Sequence, residues 1–135
     1  DIKPCNIMIK NKKGLLYAYI IDFGCSTDIY QIINSDIGNE MYKSINVLEG
    51  NNYNKKDDLI SIGYMLYFCV FGKKFHELKN KEIMEFKKQN KYNLYNFINS
   101  LNIDVNFKKI IKSYFGYMNS EKNVNYEKLK NIFIL

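Results

Sequence analysis

The sequence predicts a mainly α-helical fold with one small β-hairpin near its amino-terminal end. Three observations support this. Two short apolar runs flank a turn-forming segment within residues 6–21, a long apolar segment at 59–71 follows a helix-capping pattern, and apolar residues recur at helical spacing from Leu94 onward. The length of 135 residues corresponds to at most one domain, and the hydrophobic content of 47% is enough for a core.

The predicted hairpin occupies residues 6–21. Residues 6–9 form a short, mostly apolar run, 11–14 read Asn-Lys-Lys-Gly and have the composition of a turn, and 16–21 are rich in β-branched and aromatic residues. Two strands joined by a short turn fold back on each other. We therefore expect the hairpin to return Asp22 to the side of Asn6.

The segment 59–71 is predicted to be a buried helix. Asn54 followed three residues later by Asp57 is an N-cap pattern, and Gly72 supplies a stop signal. The apolar segment is too short to span a membrane, and a helix that is apolar on all sides is typically buried at the centre of its domain.

Beyond this segment the pattern is helical and is interpreted as core. Two stripes of apolar residues at helical spacing predict one helix each, and three further apolar residues suggest a short last helix. These sets are Leu94, Phe97, Ile98 and Leu101; Phe107, Ile110, Ile111, Tyr114, Phe115 and Met118; and Tyr126, Leu129 and Phe133.

The residues that carry chemistry lie in two motifs, Asp-Ile-Lys-Pro-Cys-Asn at 1–6 and Ile-Asp-Phe-Gly at 21–24. Phosphoryl transfer from ATP needs an acid that accepts or orients the substrate hydroxyl proton, cations for the γ-phosphoryl oxygens, and hard oxygen ligands for Mg²⁺. We assign the first role to Asp1 and the second to Lys3. Binding of Mg²⁺, and with it of ATP, is assigned to Asn6 and Asp22.

These two motifs at hairpin spacing resemble the catalytic loop and the Asp-Phe-Gly motif of protein kinases. The stretch 38–64 resembles the casein kinase 1 superfamily, which includes the vaccinia-related kinase branch. Residues 44–46 read Ser-Ile-Asn where most protein kinases have Ala-Pro-Glu. They are followed by two lysines at 55–56, by Asp-Asp-Leu at 57–59 and by Gly-Tyr at 63–64. The resemblance covers the whole chain at the level of kinases and is strong over residues 1–75.

The resemblance implies a protein-kinase-like C-terminal lobe, with residues 1–135 forming a partial kinase domain from the catalytic loop to the last helix and the N-terminal lobe absent. It implies a serine/threonine protein kinase that transfers the γ-phosphate of ATP to a protein substrate. Because the adenine pocket needs the missing N-lobe segment, the chain alone is expected to be inactive.

The same resemblance implies supporting roles for other residues. Asp58 would hydrogen-bond the backbone of the catalytic loop, and Gly24 would give structural support. Asn46 replaces a glutamate whose usual partner is a buried arginine. All twenty basic residues here are lysine, and a buried carboxylate without its partner would be costly, so the glutamate and the arginine are lost together. The amide of Asn46 can cap or hydrogen-bond instead. Asn39 and Met41 depart from the family's threonine and arginine.

Two alternatives from other functional classes stay open at this point. The chain could belong to a catalytically dead relative that serves as a scaffold or binding module, or to a small-molecule phosphotransferase. Retention of Asp1, Lys3, Asn6 and Asp22 speaks against a scaffold. Small-molecule kinases seldom carry Asp-Ile-Lys-Pro or Asp-Phe-Gly, which speaks against the other.

Composition excludes several further classes. The three cysteines, at positions 5, 25 and 69, form no Cys-x-x-Cys pair, which favours an intracellular location, cytoplasmic or nuclear, over a disulfide framework or a zinc site. Cys5 and Cys25 are interpreted as small fillers. His76 is the only histidine, so no histidine-based triad can form. The net charge of +6 is interpreted as a solvated lysine surface, and neither nucleic acid nor a membrane is an expected partner.

Overall fold

The computed structural model describes residues 1–28, 37–71, 80–90, 98, 102–120 and 123–133. These residues are mostly helical and include a two-stranded antiparallel sheet, as the sequence predicts. The chain divides into two compact units, Asp1–Met65 and Leu66–Leu135. In the part of the chain that is described, no helix has the length and apolar character needed to cross a membrane.

The first unit begins with a short 3₁₀ turn, Pro4–Asn6, followed by strands β1 (Ile7–Lys12) and β2 (Leu15–Ile20). Lys12 pairs with Leu15, so the hairpin turn has two residues, Lys13 and Gly14. Both have positive φ, 53° and 84°, which is the geometry of a type I′ turn and matches the right-handed twist of the strands. The predicted hairpin is confirmed, with β1 extending two residues into the predicted turn.

Two helices follow in the first unit: α1 (Ile45–Leu48) and the start of α2 (Lys55–Phe71). The Oγ of Ser44 caps α1 by accepting a hydrogen bond from the backbone N of Val47 at 3.1 Å. The predicted cap of α2 is confirmed. The backbone N of Asn54 donates to Asp57 Oδ2 at 2.8 Å, and Asn54 Oδ1 accepts from the backbone N of Lys56 at 2.9 Å.

Burial of α2 differs from the expectation that the helix is enclosed on all sides. Side chains such as Leu59, Tyr64 and Tyr67 are buried, whereas Ile60 and Ile62 are only half-buried and Cys69 is exposed. Loss of solvent around the hydroxyl raises the pKa of Tyr64 well above its usual range. The predicted stop at Gly72 lies outside the described residues.

The second unit includes the end of α2 and helices α3 (Asn80–Asn90), α4 (Val105–Ser120) and α5 (Tyr126–Asn131). Asp104 Oδ1 caps α4 by accepting from the backbone N atoms of Asn106 and Phe107 at 2.9 and 3.0 Å. The buried residues of α4 confirm most of the predicted stripe: Ile111, Tyr114, Phe115 and Met118 are buried, and Phe107 and Ile110 are half-buried.

The stripe prediction omitted Tyr117, which joins α4 to the start of α5. Its hydroxyl accepts from the backbone N of Asn125 at 2.6 Å and donates to the carbonyl of the same residue at 2.9 Å. Within α5 Leu129 is buried, while Tyr126 and Phe133 are largely exposed. Of the stripe predicted at 94–101 only Ile98 is described, and it is buried.

Candidate active site

The base of the hairpin brings the two chemical motifs together. The backbone N of Asn6 donates to the carbonyl of Lys3 at 3.0 Å, and the backbone N of Ile21 donates to the carbonyl of Asn6 at 2.9 Å. The second bond continues the strand pairing by one residue and places Asp22 directly after it. The hairpin therefore returns the second motif to the side of Asn6, as the sequence predicts.

The carboxylate of Asp1 is held by three different donors. Lys3 Nζ lies 2.6 Å from Asp1 Oδ2, and Asn6 Nδ2 donates both to the Asp1 carbonyl at 2.9 Å and to Oδ2 at 3.3 Å. The backbone N of Asn39 donates to Oδ1 at 3.2 Å. Because the Asp1 side chain is only 11% exposed, these contacts fix its orientation in a partly desolvated setting.

The contact with Asn39 comes from the backbone rather than from its side chain. Asn39 Oδ1 accepts instead from the backbone N of Met41 at 2.9 Å. A main-chain donor needs no particular side chain, so the departure from the family's threonine leaves the link to Asp1 in place.

Gly38, which precedes Asn39, has a backbone conformation that favours glycine. Its φ is +95°, and a Cβ built there would lie 3.6 Å from Asp1 Oδ1 and 3.5 Å from Cε of Lys43. Lys43 is itself buried. Neither residue is among the site residues predicted from the sequence, although a glycine next to Asn39 is a signal for an unusual backbone conformation.

Asp22 has a backbone conformation that non-glycine residues rarely adopt, with φ at 60°. A hydrogen bond from the backbone N of Gly24 to Asp22 Oδ1 at 3.2 Å offsets part of this strain. A Cβ on Gly24 would lie 3.2 Å from the same oxygen, so the glycine leaves room for the carboxylate. This contact is consistent with the support role predicted for Gly24, which stays a prediction.

Asn6 and Asp22 present oxygens suited to Mg²⁺. The side-chain Nδ2 of Asn6 donates to Asp1, which leaves the side-chain oxygen Oδ1 of Asn6 for a metal. Asp22 Oδ1 accepts from the backbone N of Gly24, which leaves Asp22 Oδ2. Among the described residues no group of three or more His, Cys, Asp or Glu side chains could hold a metal ion. Two protein oxygens nevertheless suit Mg²⁺, because this ion usually keeps water and phosphate oxygens as its other ligands.

A cavity of about 310 Å³ adjoins the motifs in the first unit. Its polar lining includes Asp1, Asp22, Tyr53 and Asp58, and its apolar lining includes Ile2, Ile20, Ile21, Phe23 and Ile37. Cys25 also lines it. Both Cys25 and Cys5 are exposed, so their interpretation as buried fillers is wrong; each lies in a loop or turn next to an open cavity or solvent.

Asp58 lies next to Asp1 and lines the same cavity. Partial loss of solvation raises the pKa of its carboxyl, and the charge of the neighbouring Asp57 raises this pKa further. The predicted hydrogen bond from Asp58 to the backbone of the catalytic loop does not occur within the described residues. Its support role stays a prediction.

The neighbouring Asp57, which the sequence analysis treated only as a capping residue, is the better connected of the two aspartates. It is 3% exposed and accepts from Ser44 Oγ at 2.6 Å, from Asn46 Nδ2 at 3.1 and 3.3 Å, and from the backbone N of Asn54. Asn46 also donates to the carbonyl of Asn52 at 3.1 Å. These hydrogen bonds are consistent with the support role predicted for Asn46, which stays a prediction.

Tyr53 ties the segment beside Asp1 to the start of α2. Its hydroxyl donates to the carbonyl of Ile37 at 2.6 Å. Burial raises the pKa of this hydroxyl, and the charges of Asp57, Asp58 and Cys25 raise it further, so Tyr53 stays protonated and able to donate.

Comparison with known sequences agrees with this geometry. The sequence model of the protein kinase domain matches residues 1–130. The chain belongs to the protein kinase family. This kinase chain is 33% identical over 95 residues to calcium-dependent protein kinase 27 of Arabidopsis thaliana, a match covering 62% of the chain and 19% of that protein. It is 35% identical over 74 residues to myosin light chain kinase A of Dictyostelium discoideum, covering 53% of the chain and 25% of that protein.

A third relative of the kinase chain is eukaryotic translation initiation factor 2-alpha kinase 1 of Plasmodium falciparum (isolate 3D7), 40% identical over 78 residues, or 57% of the chain and 5% of that protein. The matches therefore span a quarter or less of each of these relatives. Protein kinases in general use ATP and Mg²⁺ and act on proteins.

Proposed function

We propose that this kinase chain supplies the catalytic loop and the metal-binding aspartate of a serine/threonine protein kinase that transfers the γ-phosphate of ATP to a protein hydroxyl. The observation that carries the proposal is the loop in which Lys3 and Asn6 both hold the Asp1 carboxylate, joined to Asp22 through the Ile21–Asn6 backbone bond.

Each residue has a distinct role in this proposal. Asp1 accepts the proton of the substrate hydroxyl. Oδ1 is the atom for this, because within the described residues it accepts only the 3.2 Å bond from the Asn39 backbone, whereas Oδ2 is engaged by both Lys3 and Asn6. Lys3 adds a positive charge beside the transferred group. Bound Mg²⁺–ATP supplies the phosphoryl group and neutralises its charge, and Asn6 and Asp22 are the residues that would hold the ion.

Membership of the casein kinase 1-like branch is also part of the proposal. Its support is the Ser-Ile-Asn sequence at 44–46 together with the hydrogen bonds of Ser44 and Asn46 to Asp57, which replace an ion pair in a chain without arginine. Specificity for serine and threonine rests on Lys3. The three free cysteines support an intracellular location, cytoplasmic or nuclear.

We further propose that residues 1–135 correspond to the C-terminal lobe and that transfer needs an N-terminal lobe to complete the adenine pocket. The 135-residue chain incubated alone with labelled ATP, Mg²⁺ and casein should transfer no measurable phosphate. Robust transfer by the purified chain would overturn this part of the proposal.

The test of the function uses the full-length kinase. Asp22→Asn should abolish Mg²⁺-dependent ATP turnover, because an amide is a much poorer Mg²⁺ ligand than a carboxylate. Glu127→Gln, which changes an exposed carboxylate on α5 in the same way, is the matched control and should keep normal turnover.

Three outcomes would count against the proposal. Normal turnover by Asp22→Asn would remove Asp22 as a metal ligand. Nucleotide binding without turnover by the unsubstituted full-length kinase would favour the scaffold. Transfer to small-molecule alcohols but to no protein would favour the small-molecule phosphotransferase.

A further inference from the structure

One face of the β-hairpin combines positive charge with exposed aromatic and apolar side chains. Residues that pair across an antiparallel sheet project to the same side, as do alternate residues of one strand. The register therefore places six side chains together on what we call the basic face: Met8, Lys10, Lys12, Leu15, Tyr17 and Tyr19. Its four uncharged members, Met8, Leu15, Tyr17 and Tyr19, are 40–63% exposed.

The charge of this face is uncompensated. The sequence has no aspartate or glutamate between Asp1 and Asp22, whereas Lys10, Lys12 and Lys13 all lie in the hairpin. These three lysines form no ion pair with any residue that the structure describes. A positive field without an internal counter-charge attracts and orients anionic partners.

The aromatic rings give Lys12 a defined position. Its Nζ lies 5.4 Å from the ring centroid of Tyr17 and 5.5 Å from that of Tyr19, which is the distance of a cation–π interaction. An isolated surface lysine loses conformational freedom when it pairs with a carboxylate, and this loss cancels much of the gain. Lys12 is already ordered over the rings, so it loses less on binding.

We propose that the basic face binds an extended acidic segment of a partner protein that also carries a large apolar residue. Carboxylates of the segment pair with Lys10 and Lys12, and the apolar residue packs on Met8 or Leu15. Six-residue strands are about 20 Å long at about 3.4 Å per residue, so the face accommodates about six residues of extended peptide.

A peptide fits this face better than a nucleic acid does. Binding of single-stranded nucleic acid relies on aromatic rings that are open to stacking with bases. Here one cation lies over both tyrosine rings, and the flanking positions are the apolar Met8 and Leu15 rather than further lysines. This arrangement favours a partner with both carboxylate and apolar side chains.

The experiment measures binding of a fluorescein-labelled ten-residue peptide, in which glutamates alternate with leucine and phenylalanine, to the 135-residue chain by fluorescence anisotropy. We expect saturable binding that weakens as salt is raised, and at least about tenfold weaker binding for Lys10→Glu/Lys12→Glu. The milder Lys10→Gln/Lys12→Gln should weaken binding by about threefold or more. Circular dichroism checks that each variant keeps its fold.

Lys109→Glu/Lys130→Glu is the matched control, since it reverses two exposed lysines on α4 and α5, and it should change the dissociation constant by less than about twofold. Equal weakening by this control would show only general charge attraction and would overturn the proposal. So would equal binding of a peptide with glutamine in place of every glutamate.

Two other results would assign the face to a different occupant and thereby also overturn the proposal. One is tighter binding of a ten-nucleotide single-stranded DNA that is lost with the same hairpin substitutions. The other is a dimer in sedimentation velocity that Lys10→Glu/Lys12→Glu abolishes and the acidic peptide does not dissociate.

Discussion

Replacing Asp57 with alanine removes the acceptor shared by three separate parts of the first unit. Its carboxylate joins Ser44 at the start of α1, Asn46 within α1 and the backbone of Asn54 at the start of α2. Ser44 and Asp57 are both buried, so water does not readily replace the missing partner. We expect Asp57→Ala to lower the free energy of unfolding substantially.

The magnitude follows from the individual contacts. Leaving the buried Ser44 hydroxyl without its acceptor costs about 1–3 kcal/mol. Losing the capping bond to Asn54 costs about 1 kcal/mol. The loss at Asn46 is smaller, about 0.5–1 kcal/mol, because this side chain keeps its bond to the Asn52 carbonyl. The expected total of about 2.5–5 kcal/mol is a large part of the 5–15 kcal/mol typical of a folded domain.

Urea unfolding followed by circular dichroism measures this difference. Ser44→Ala should cost less, about 1–2 kcal/mol, and the double variant should cost less than the sum of the two single changes because both remove the same 2.6 Å bond. A loss below about 1 kcal/mol for Asp57→Ala, or strict additivity with Ser44→Ala, would refute the view that this carboxylate holds α1 to α2.

Three further predictions concern the surroundings of Asp1. Gly38→Ala should destabilise the chain by about 1–2 kcal/mol in urea unfolding, because φ is +95° there. It should also lower kcat of the full-length kinase, because relief of this strain would shift the adjacent Asn39 backbone N that donates to Asp1; an unchanged kcat would contradict this second part. Tyr53→Phe should cost about 1 kcal/mol or less through loss of the 2.6 Å bond to the Ile37 carbonyl, and a thermal midpoint equal to that of the parent would argue that this bond contributes nothing. Asp58→Asn should raise the thermal midpoint at neutral pH. The folded-state pKa of Asp58 is raised, so the folded chain binds this proton more tightly and loses stability as pH rises from the ordinary value of 3.8 through the raised one. The variant stays neutral, so its advantage should disappear below about pH 3, and an advantage that persists there would contradict the pKa argument.

Local sequence was enough to predict the elements that depend on near neighbours. The β-hairpin follows from a two-residue turn with a glycine in the left-handed region, and the start of α2 follows from the capping pair Asn54 and Asp57. The predicted stripe on α4 matches its buried side chains for the same reason, since residues three and four apart share one helix face.

Contacts between distant residues were not predictable in the same way. The bond from the Asn39 backbone to Asp1 joins residues 38 positions apart, and nothing in either residue type specifies it. The partners of Asp57 beyond its own helix were also missed, because a capping pattern describes one helix end and not what packs against it. The exposure of Cys5 and Cys25 depends likewise on the neighbours that the fold provides.

The protein kinase family and the identity of the chemical groups follow from the sequence alone, because the order Asp1, Lys3, Asn6 and Asp22 encodes a loop and a returning hairpin through local geometry. Tertiary structure was needed to establish which oxygen of Asp1 accepts fewer hydrogen bonds, which of the two adjacent aspartates is buried, and that two lysines of the hairpin share a face with two tyrosines. These outcomes depend on long-range packing and strand register, where a shift of one residue or a different neighbour changes which side chains meet.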